Sequence, residues 1–217
     1  MKSIEIKNLT KRIRNSVILD NINLDFEKGT IYGIKGRNGS GKTMLLRAIC
    51  GLIVPTEGAV FFKDKELHKD ISIPPSIGVL IESPGFWKNY SGFENLKILS
   101  SIKNKITNKD ILQTLDDVGL NPNDKKPYKK YSLGMKQKLG IAQALMEKPE
   151  VILLDEPTNA LDEESVKSIR KLLLREKDRG ATILIASHNT EDIESICDYK
   201  LEIDNGKIKN NSFIEVK

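Results

Sequence analysis

The fold of this 217-residue chain is decided by the stretch Gly36-Arg37-Asn38-Gly39-Ser40-Gly41-Lys42-Thr43. It matches the pattern G-x-x-x-x-G-K-[ST] at every constrained position, and that pattern forms a loop that binds phosphate groups. Glycines let successive backbone N–H groups point at phosphate oxygens, because no Cβ stands in the way. We expect Lys42 to reach the β- and γ-phosphates of a nucleotide and the Thr43 hydroxyl to ligate Mg²⁺. All eight residues are therefore predicted to bind a nucleotide.

The sequence on either side of this loop has the pattern that a nucleotide site requires. Residues 30–34 read Thr-Ile-Tyr-Gly-Ile, which is typical of a short buried strand, and residues 44–50 have the pattern of a helix. A helix that begins directly after the loop adds the partial positive charge of its N-terminus to the phosphate site. This context disfavours the alternative that the stretch is a chance glycine-rich turn.

A second apolar run ends in two acidic residues, and it reads Val151-Ile152-Leu153-Leu154-Asp155-Glu156. Four consecutive apolar residues are typical of a strand that is buried on both faces, as in a parallel sheet. Open α/β sheets bind ligands at the carboxyl ends of their strands. We therefore expect Asp155 to hold Mg²⁺, directly or through water, and Glu156 to act as the general base for an attacking water. The alternative, a solvated acidic pair, is disfavoured beside an intact phosphate loop.

A third element begins a helix within residues 131–139, which read Tyr-Ser-Leu-Gly-Met-Lys-Gln-Lys-Leu. Ser132 is a good N-cap, Gly134 follows two residues later, and the helix is expected to run to about Lys148, where Pro149 stops it. Such a helix start is a potential second anion site. The phosphate loop already serves one nucleotide, so this second site has no obvious ligand within the same chain.

With these three elements in this order, the sequence resembles the ATP-binding cassette family over essentially its whole length. The signature of that family is usually Leu-Ser-Gly-Gly-Gln, followed by a basic amphipathic helix. Ser132 and Gly134 match it, whereas Leu133 and Met135 depart from the commonest form. This variant resembles the signature of bacterial exporter ATPases that are linked to antibiotic and peptide resistance.

The resemblance assigns roles to further residues. Residues 159–162, Asn-Ala-Leu-Asp, resemble the D-loop of the family. His188 ends an apolar strand and resembles the switch histidine that contacts the γ-phosphate, so it is predicted to be catalytic. Glu82 occupies the position where the Q-loop of the family usually has Gln. Its carboxylate can ligate Mg²⁺ or hold a water of the metal, and it joins Thr43 and Asp155 in the predicted metal site.

One departure concerns the nucleobase. The family usually stacks an aromatic side chain near the N-terminus on adenine, but alignment on Leu9-Thr10-Lys11 places Ile13 there, and residues 11–19 contain neither Tyr nor Phe. The triphosphate is therefore expected to supply most of the affinity. Should ATP be preferred a hundredfold over GTP, another residue must contact adenine, and Tyr32 and the segment Lys11–Arg14 are the first places to look for it.

Composition places the chain in a broad class. Charged residues make up 30% of it and the net charge is +5, while no apolar run approaches the roughly 18 residues of a membrane span, so a soluble protein without signal peptide is expected. The lysines of residues 125–130 have no interleaved aromatics, so they predict a solvated face and no nucleic-acid partner. Cys50 and Cys197 are expected to be buried apolar fillers, and His68 a surface-loop residue.

The remaining patterns complete the fold. Alternation in the first thirty residues predicts antiparallel strands, Ser91 with Glu94 and Thr107 with Asp110 predict helix starts, and Asn205-Gly206 predicts a hairpin. The expected fold class is α/β: a P-loop NTPase mixed-sheet core with an antiparallel β subdomain and an inserted helical subdomain at about residues 85–148. Residues 1–217 form a single ATPase domain in this interpretation.

The resemblance implies an ATP-binding and ATP-hydrolysing transporter subunit, of the exporter type, with ATP and Mg²⁺ as cofactors. One phosphate loop and one signature per chain imply a head-to-tail dimer, homo- or heterodimeric, in which residues 36–43 of one subunit and 132–134 of the other hold each ATP. The subunit would energise a separate transmembrane permease as a peripheral protein on the cytoplasmic face of the membrane.

Two alternatives remain at this stage. One is a soluble cassette protein that acts on nucleic acid or ribosomes; those relatives usually carry a long coiled-coil insertion or a second cassette, for which residues 43–132 leave no room. The other is an importer subunit, whose signature would more often contain Gly-Gly-Gln. The transported substrate is a property of the membrane subunit and is not encoded here.

Overall fold

The computed structural model describes residues 1–82 and 85–213. The strands are β1 (Lys2–Ile13), β2 (Ser16–Glu27), β3 (Ile31–Lys35), β4 (Glu57–Phe62), β5 (Lys65–Glu66), β6 (Ile77–Leu80), β7 (Val151–Asp155), β8 (Thr182–Ser187), β9 (Tyr199–Asp204) and β10 (Lys207–Phe213). The α-helices are α1 (Lys42–Ile49), α2 (Gly92–Ser100), α3 (Asn108–Asp117), α4 (Leu133–Leu145), α5 (Glu163–Asp178) and α6 (Thr190–Ile196). A short 3₁₀ helix at Tyr128–Lys130 precedes α4.

The central sheet has the strand order β10-β9-β3-β8-β7-β6, and its strands are parallel except for β10. All six residues of β8 and the four apolar residues of β7 are buried, as expected for strands covered on both faces. Lys35 pairs with Ser187, and Asp155 pairs with Ala186. The segments that follow β3, β7 and β8 therefore meet at one edge of the sheet.

A second, antiparallel sheet has the order β2-β1-β4-β5. Side chains of β1 and β2 alternate between buried and exposed over much of their length, because one face packs on the core and the other meets water. The predicted hairpin is also present: Asn205 and Gly206, both with positive φ, join β9 to β10. Positive φ at both positions is what a two-residue type I′ turn requires.

The helices α2, α3 and α4 lie between the phosphate loop and β7 along the chain. Both predicted helix starts are confirmed, and each is a capping box, at Ser91 with Glu94 and at Thr107 with Asp110. The expected end of α4 at Lys148 is wrong, because the helix ends at Leu145. Lys148 adopts a left-handed φ of 49° and donates its backbone N–H to the Leu145 carbonyl at 2.8 Å, which closes the helix before Pro149. Residues 118–127 and 85–91 are turns and irregular segments, not helix.

The apolar core forms two clusters on the two faces of the central sheet. One contains Leu139 and Ile141 of α4 together with Leu172 of α5, and the other joins α1 to the antiparallel sheet. Cys50 and Cys197 are buried and not disulfide-bonded, as expected. Burial raises the pKa of the Cys197 thiol to about 12, so this side chain stays protonated at neutral pH.

His68 lies on the surface, as predicted. Its side chain is exposed, and its Nε2 lies 3.3 Å from the Ile53 carbonyl oxygen. In the part of the chain that is described, no helix combines the length and the apolar character that a bilayer crossing requires.

Candidate functional site

The glycine-rich loop connects β3 to α1 at the carboxyl edge of the sheet. Gly39 and Gly41 have φ angles of 79° and 112°, a region that side chains rarely allow. At Gly36, an added Cβ would lie 2.4 Å from Ser40 Oγ and 2.5 Å from the Ile203 carbonyl oxygen, so only glycine fits there. The loop borders a cleft of ≈ 450 Å³, which is lined by Ile18, Arg37, Asn38, Gly39, Gly41, Lys42, Thr43, Met44, Asp155 and Glu156.

Lys42 lines this cleft, and Ser40 is a second polar residue of the same loop. Lys42 is only 6% exposed, and its Nζ donates to the Gly36 carbonyl at 2.7 Å and the Arg37 carbonyl at 3.4 Å. Ser40 Oγ is buried and has no hydrogen-bond partner within residues 1–82 and 85–213. A buried hydroxyl normally has a partner, and a phosphate oxygen in the cradle would supply one. The loop therefore fits a polyphosphate anion.

Thr43 and Asp155 place two oxygen donors at the end of the same cleft. The Thr43 hydroxyl donates to Asp155 Oδ2 at 2.6 Å. Burial, with the nearby charge of Glu156, raises the pKa of Asp155 above its ordinary value, and the bond from Thr43 works in the opposite direction. Hydroxyl and carboxylate oxygens suit Mg²⁺, which takes few protein ligands and keeps waters and substrate phosphates. Accordingly, the described residues contain no cluster of three or more His, Cys, Asp or Glu side chains arranged for a metal.

Glu156 and His188, the two predicted catalytic residues, are in direct contact. His188 Nδ1 lies 2.9 Å from Glu156 Oε1, and the backbone N–H of His188 donates to the same oxygen at 3.0 Å. Ser187 Oγ donates to Glu156 Oε2 at 3.2 Å, and Lys42 Nζ lies 3.8 Å from Oε1. Both oxygens of the carboxylate are thus held at the edge of the cleft, beside the buried lysine.

Glu82 lies at the same edge but faces a different partner. Arg47 Nη2 donates to Glu82 Oε1 at 2.6 Å, and 63% of the Glu82 side chain is exposed. Glu82 also borders a second cleft of ≈ 330 Å³, together with Asp155 and Glu156. Its predicted role at the metal therefore stays a prediction, and the next two residues of its segment, Ser83 and Pro84, lie outside the described residues.

The predicted signature residues stand apart from the phosphate loop. Ser132 caps α4 by accepting a hydrogen bond from the Met135 backbone N–H at 3.2 Å. An added Cβ at Gly134 would lie 2.9 Å from the Ala160 carbonyl oxygen, so the helix start and the D-loop segment pack closely. Leu133 is 69% exposed. Neither Ser132 nor Gly134 is among the described residues that line the phosphate-loop cleft.

Two residues of the site, Gln137 and Ser187, are not among those predicted from the sequence. Gln137 Nε2 donates to the carbonyls of Glu156 and Pro157 at 3.0 and 3.1 Å, and Ser187 holds the Glu156 carboxylate. Ser187 could have been found, because it immediately precedes His188 at a strand end. The contact of Gln137 joins two segments 19 residues apart, and no local pattern signals it.

The structure locates the residues that were considered for the nucleobase. Tyr32 is 4% exposed, stacks on Tyr199, and accepts the Glu27 backbone N–H with its hydroxyl, and it is not among the described residues that line the cleft. Ile13 is 46% exposed and does not line the cleft. Ile18 of β2 does line it, and this residue offers an apolar surface in place of an aromatic one.

Comparison with known proteins gives one consistent result. Residues 19–159 match the family described as ABC transporter. An uncharacterized ABC transporter ATP-binding protein, YybJ of Bacillus subtilis, is 54% identical over 99% of this chain and 98% of its own length. The bacitracin transport ATP-binding protein BcrA of Enterococcus faecalis is 41% identical over 90% of this chain and 64% of its own length. The lantibiotic transport ATP-binding protein SrtF of Streptococcus pyogenes is 37% identical over 94% and 88%, respectively.

Solved structures show the same fold. The dimeric structure of the cassette MJ0796 superposes with a TM-score of 0.89 at 24% identity, over 98% of this chain and 99% of that one. The ADP conformation of the cassette MJ1267 superposes with a TM-score of 0.78 at 23% identity, over 98% and 91%. The mixed sheet, the antiparallel sheet and the helical segment are therefore those of a known architecture.

Proposed function

This chain belongs to the ATP-binding cassette transporter family as one of its ATP-binding, ATP-hydrolysing subunits, and from that premise we propose that it energises an exporter of peptide antibiotics. The observation that carries the proposal is the identity of 41% and 37% to relatives named for bacitracin and lantibiotic transport. The chain spans only 64% of BcrA, so the function of the remaining part of BcrA is not transferred.

We assign ATP to the cleft of residues 36–43 and Mg²⁺ to Thr43 and Asp155, with Glu82 contributing directly or through water. The metal, when bound, neutralises charge between the β- and γ-phosphates. Three features support the assignment: the buried ammonium of Lys42, the hydroxyl of Ser40, which has no partner among the described residues, and the adjacent oxygens of Thr43 and Asp155. Arg37 and Asn38 border the same cleft.

The chemistry follows from the placement of Glu156. Its carboxylate stands at the carboxyl end of β7, where it can accept the proton of a water that attacks the γ-phosphate. His188 contacts Oε1 through its ring nitrogen Nδ1 and so orients the carboxylate. The ring is 54% exposed, and we propose that its other nitrogen, Nε2, contacts the phosphate. Lys42, 3.8 Å from the same oxygen, binds the phosphates and offsets their charge.

Ser132 and Gly134 are proposed to serve the nucleotide of a second subunit in a head-to-tail dimer. They begin a helix whose N-terminus suits an anion, they are absent from the lining of their own chain's cleft, and their neighbour Leu133 is exposed. ATP binding would close the dimer, and hydrolysis would reopen it, because the nucleotide shifts the equilibrium between two conformations. The dimer partner is a second copy or a similar ATP-binding chain.

The proposed partner of this dimer is a separate transmembrane permease, which would hold the subunit at the cytoplasmic face of the membrane. The test is affinity purification of the tagged chain from detergent-solubilised membranes of its host. We expect a polytopic membrane protein to co-purify in a fixed ratio. Recovery of ribosomes or nucleic acid without a membrane protein would contradict the transporter proposal and favour the soluble alternative.

The export proposal has its own test in the host strain. Cells that carry Lys42→Ala should become sensitive to the peptide antibiotic that the wild type tolerates, because the variant loses its phosphate-binding ammonium. Cells that carry Lys65→Ala, an exposed lysine outside the site, serve as the matched control and should stay resistant. Unchanged resistance to bacitracin and lantibiotics in the Lys42→Ala strain would contradict this substrate class.

A further inference from the structure

A buried charged cluster joins three segments behind the catalytic pair. The Asp192 side chain is 7% exposed, and it accepts hydrogen bonds from Thr158 Oγ1 at 2.5 Å and from Arg170 Nη2 at 2.9 Å. Arg170 comes from α5, and its Nη1 lies 3.5 Å from the exposed Glu191. Its Nε is buried and has no hydrogen-bond partner in the part of the chain that is described. The phosphate-loop cleft does not contain these residues.

Each end of this cluster lies close to a proposed catalytic residue. Thr158 follows Glu156 by two positions, in the loop between β7 and α5, and Asp192 follows His188 by four positions, in the first turn of α6. Glu156 and His188 themselves are in contact at 2.9 Å. The bond between Thr158 and Asp192 is therefore a second link between the segment after β7 and the segment after β8.

The backbone around Thr158 needs such a restraint. Glu156 and Ala160 have φ angles of 49° and 64°, in the left-handed region that residues with side chains seldom adopt. Residues persist there only where the surrounding structure holds them, and such positions concentrate at functional sites. Gln137 holds the Glu156 and Pro157 carbonyls from the α4 side. Asp192 holds Thr158 from the α6 side.

Stability alone does not account for this cluster. Removing a carboxylate and a guanidinium from water costs free energy that their attraction only partly offsets, and apolar replacements of similar volume are often equally stable. A buried ionic cluster therefore needs another role, and orientation of neighbouring groups is one that its directional hydrogen bonds can fill. This cluster joins the segment that carries Glu156 to the segment that carries His188, so these two side chains are the groups that it would orient.

We propose that Thr158, Asp192 and Arg170 are positioning residues for hydrolysis, which hold the loop after β7 against α6 so that Glu156 meets His188. None of the three touches the nucleotide in this proposal. Arg170 holds the Asp192 carboxylate in its orientation through the bond from Nη2, and Asp192 in turn holds Thr158. The inference rests on the proposed roles of Glu156 and His188, which the Glu156→Gln variant tests independently.

The experiment compares Thr158→Val with Thr158→Ser. Valine has nearly the shape of threonine but cannot donate to Asp192, whereas serine keeps the donor. We expect Thr158→Val to lower kcat by about tenfold or more, since small misplacements of catalytic groups cost on this scale, while the affinity for ATP stays unchanged. Thr158→Ser should retain most of the wild-type kcat.

Two further variants separate positioning from simple destabilisation. Lys177→Met breaks a second, half-buried ion pair, Lys177 with Asp198 at 2.5 Å, whose carboxylate accepts the Ile31 backbone N–H at the opposite edge of the sheet. It should lower the melting temperature without lowering kcat. The double variant Asp192→Leu with Arg170→Met removes all charge from the cluster; it should remain folded and bind ATP but hydrolyse slowly. It also provides the test if Thr158→Val does not fold.

A double-mutant cycle with His188→Ala gives the decisive comparison. If the cluster acts through the Glu156–His188 contact, Thr158→Val should add almost nothing once the histidine side chain is absent. Three results would each overturn the proposal. They are wild-type turnover in folded Thr158→Val, an additive loss of kcat in the His188→Ala background, and an equal loss of kcat in Lys177→Met. Wild-type turnover in Glu156→Gln would instead overturn the assignment of the base. The kcat values of Thr158→Val and Thr158→Ser would still decide whether the bond to Asp192 matters for hydrolysis.

Discussion

Replacing Glu156 with glutamine removes the proposed base while keeping most of its contacts. The side-chain carbonyl of glutamine can still accept the His188 backbone N–H, which bonds Oε1 at 3.0 Å. The variant loses the proton-accepting charge and the negative neighbour of Lys42 at 3.8 Å. Loss of a general base lowers the rate by about 10²–10⁴-fold. That factor corresponds to about 2.7–5.4 kcal/mol of transition-state stabilisation at about 1.36 kcal/mol per tenfold.

The assay is phosphate release by purified protein, together with ATP binding and size-exclusion chromatography. Glu156→Gln should bind ATP at least as tightly as the wild type, because one negative charge near the phosphates is gone, and it should accumulate as an ATP-bound dimer. Glu164→Gln, an exposed acid in the first turn of α5, makes the same chemical change away from the site and should hydrolyse normally. Wild-type turnover in Glu156→Gln would refute the assignment of the base.

Three further predictions follow from the cleft and from the raised pKa values. Because Ile13 replaces an aromatic and no aromatic side chain is among the described residues that line the cleft, GTP should compete with ATP within roughly tenfold, or about 1.4 kcal/mol, and a hundredfold preference for ATP in a competition titration would contradict this. Asp155 has a raised pKa when folded, so its contribution to stability is lost as the pH rises from its ordinary value of 3.8 through the folded value. Nucleotide-free Asp155→Asn should therefore melt above the wild type at pH 7, by a margin that shrinks toward pH 4, and an equal or lower midpoint at pH 7 would be evidence against it. The Cys197 thiol, buried and with its pKa raised to about 12, should react with a thiol reagent only after unfolding, whereas rapid labelling of the native protein would show that it is accessible.

Local chemistry made much of the fold predictable from the sequence. The capping boxes at Ser91 and Thr107 and the Asn205-Gly206 turn depend on residues that are at most three positions apart, and each is present. The apolar runs that lead to Asp155 and to His188 also predicted the parallel sheet, since such runs are typical of strands that are buried on both faces. The common edge of the sheet then follows from the parallel pairing.

Contacts between distant segments were not predictable in this way. The Arg47–Glu82 pair spans 35 positions, and the bond from Thr158 to Asp192 spans 34. Both depend on how loops and helices pack after the sheet has formed, which single-sequence patterns do not encode. The position of Tyr32 is a related case: β3 is covered on both faces, so its aromatic ring is buried in the core.

In the proposed dimer, residues 36–43 of one subunit and Ser132 of the other hold the same ATP. Mixing a Ser132→Arg subunit with a Lys42→Ala subunit tests it most directly, by measuring phosphate release of each variant alone and of the mixture. In a mixed dimer one site carries both defects and the other carries neither, so an intact composite site exists only if the two elements act across the interface. We expect each variant alone to be inactive, Ser132→Arg still to bind ATP as a monomer, and the mixture to recover hydrolysis in part. Normal hydrolysis by Ser132→Arg alone, or no recovery in a mixture shown to contain mixed dimers, would contradict it.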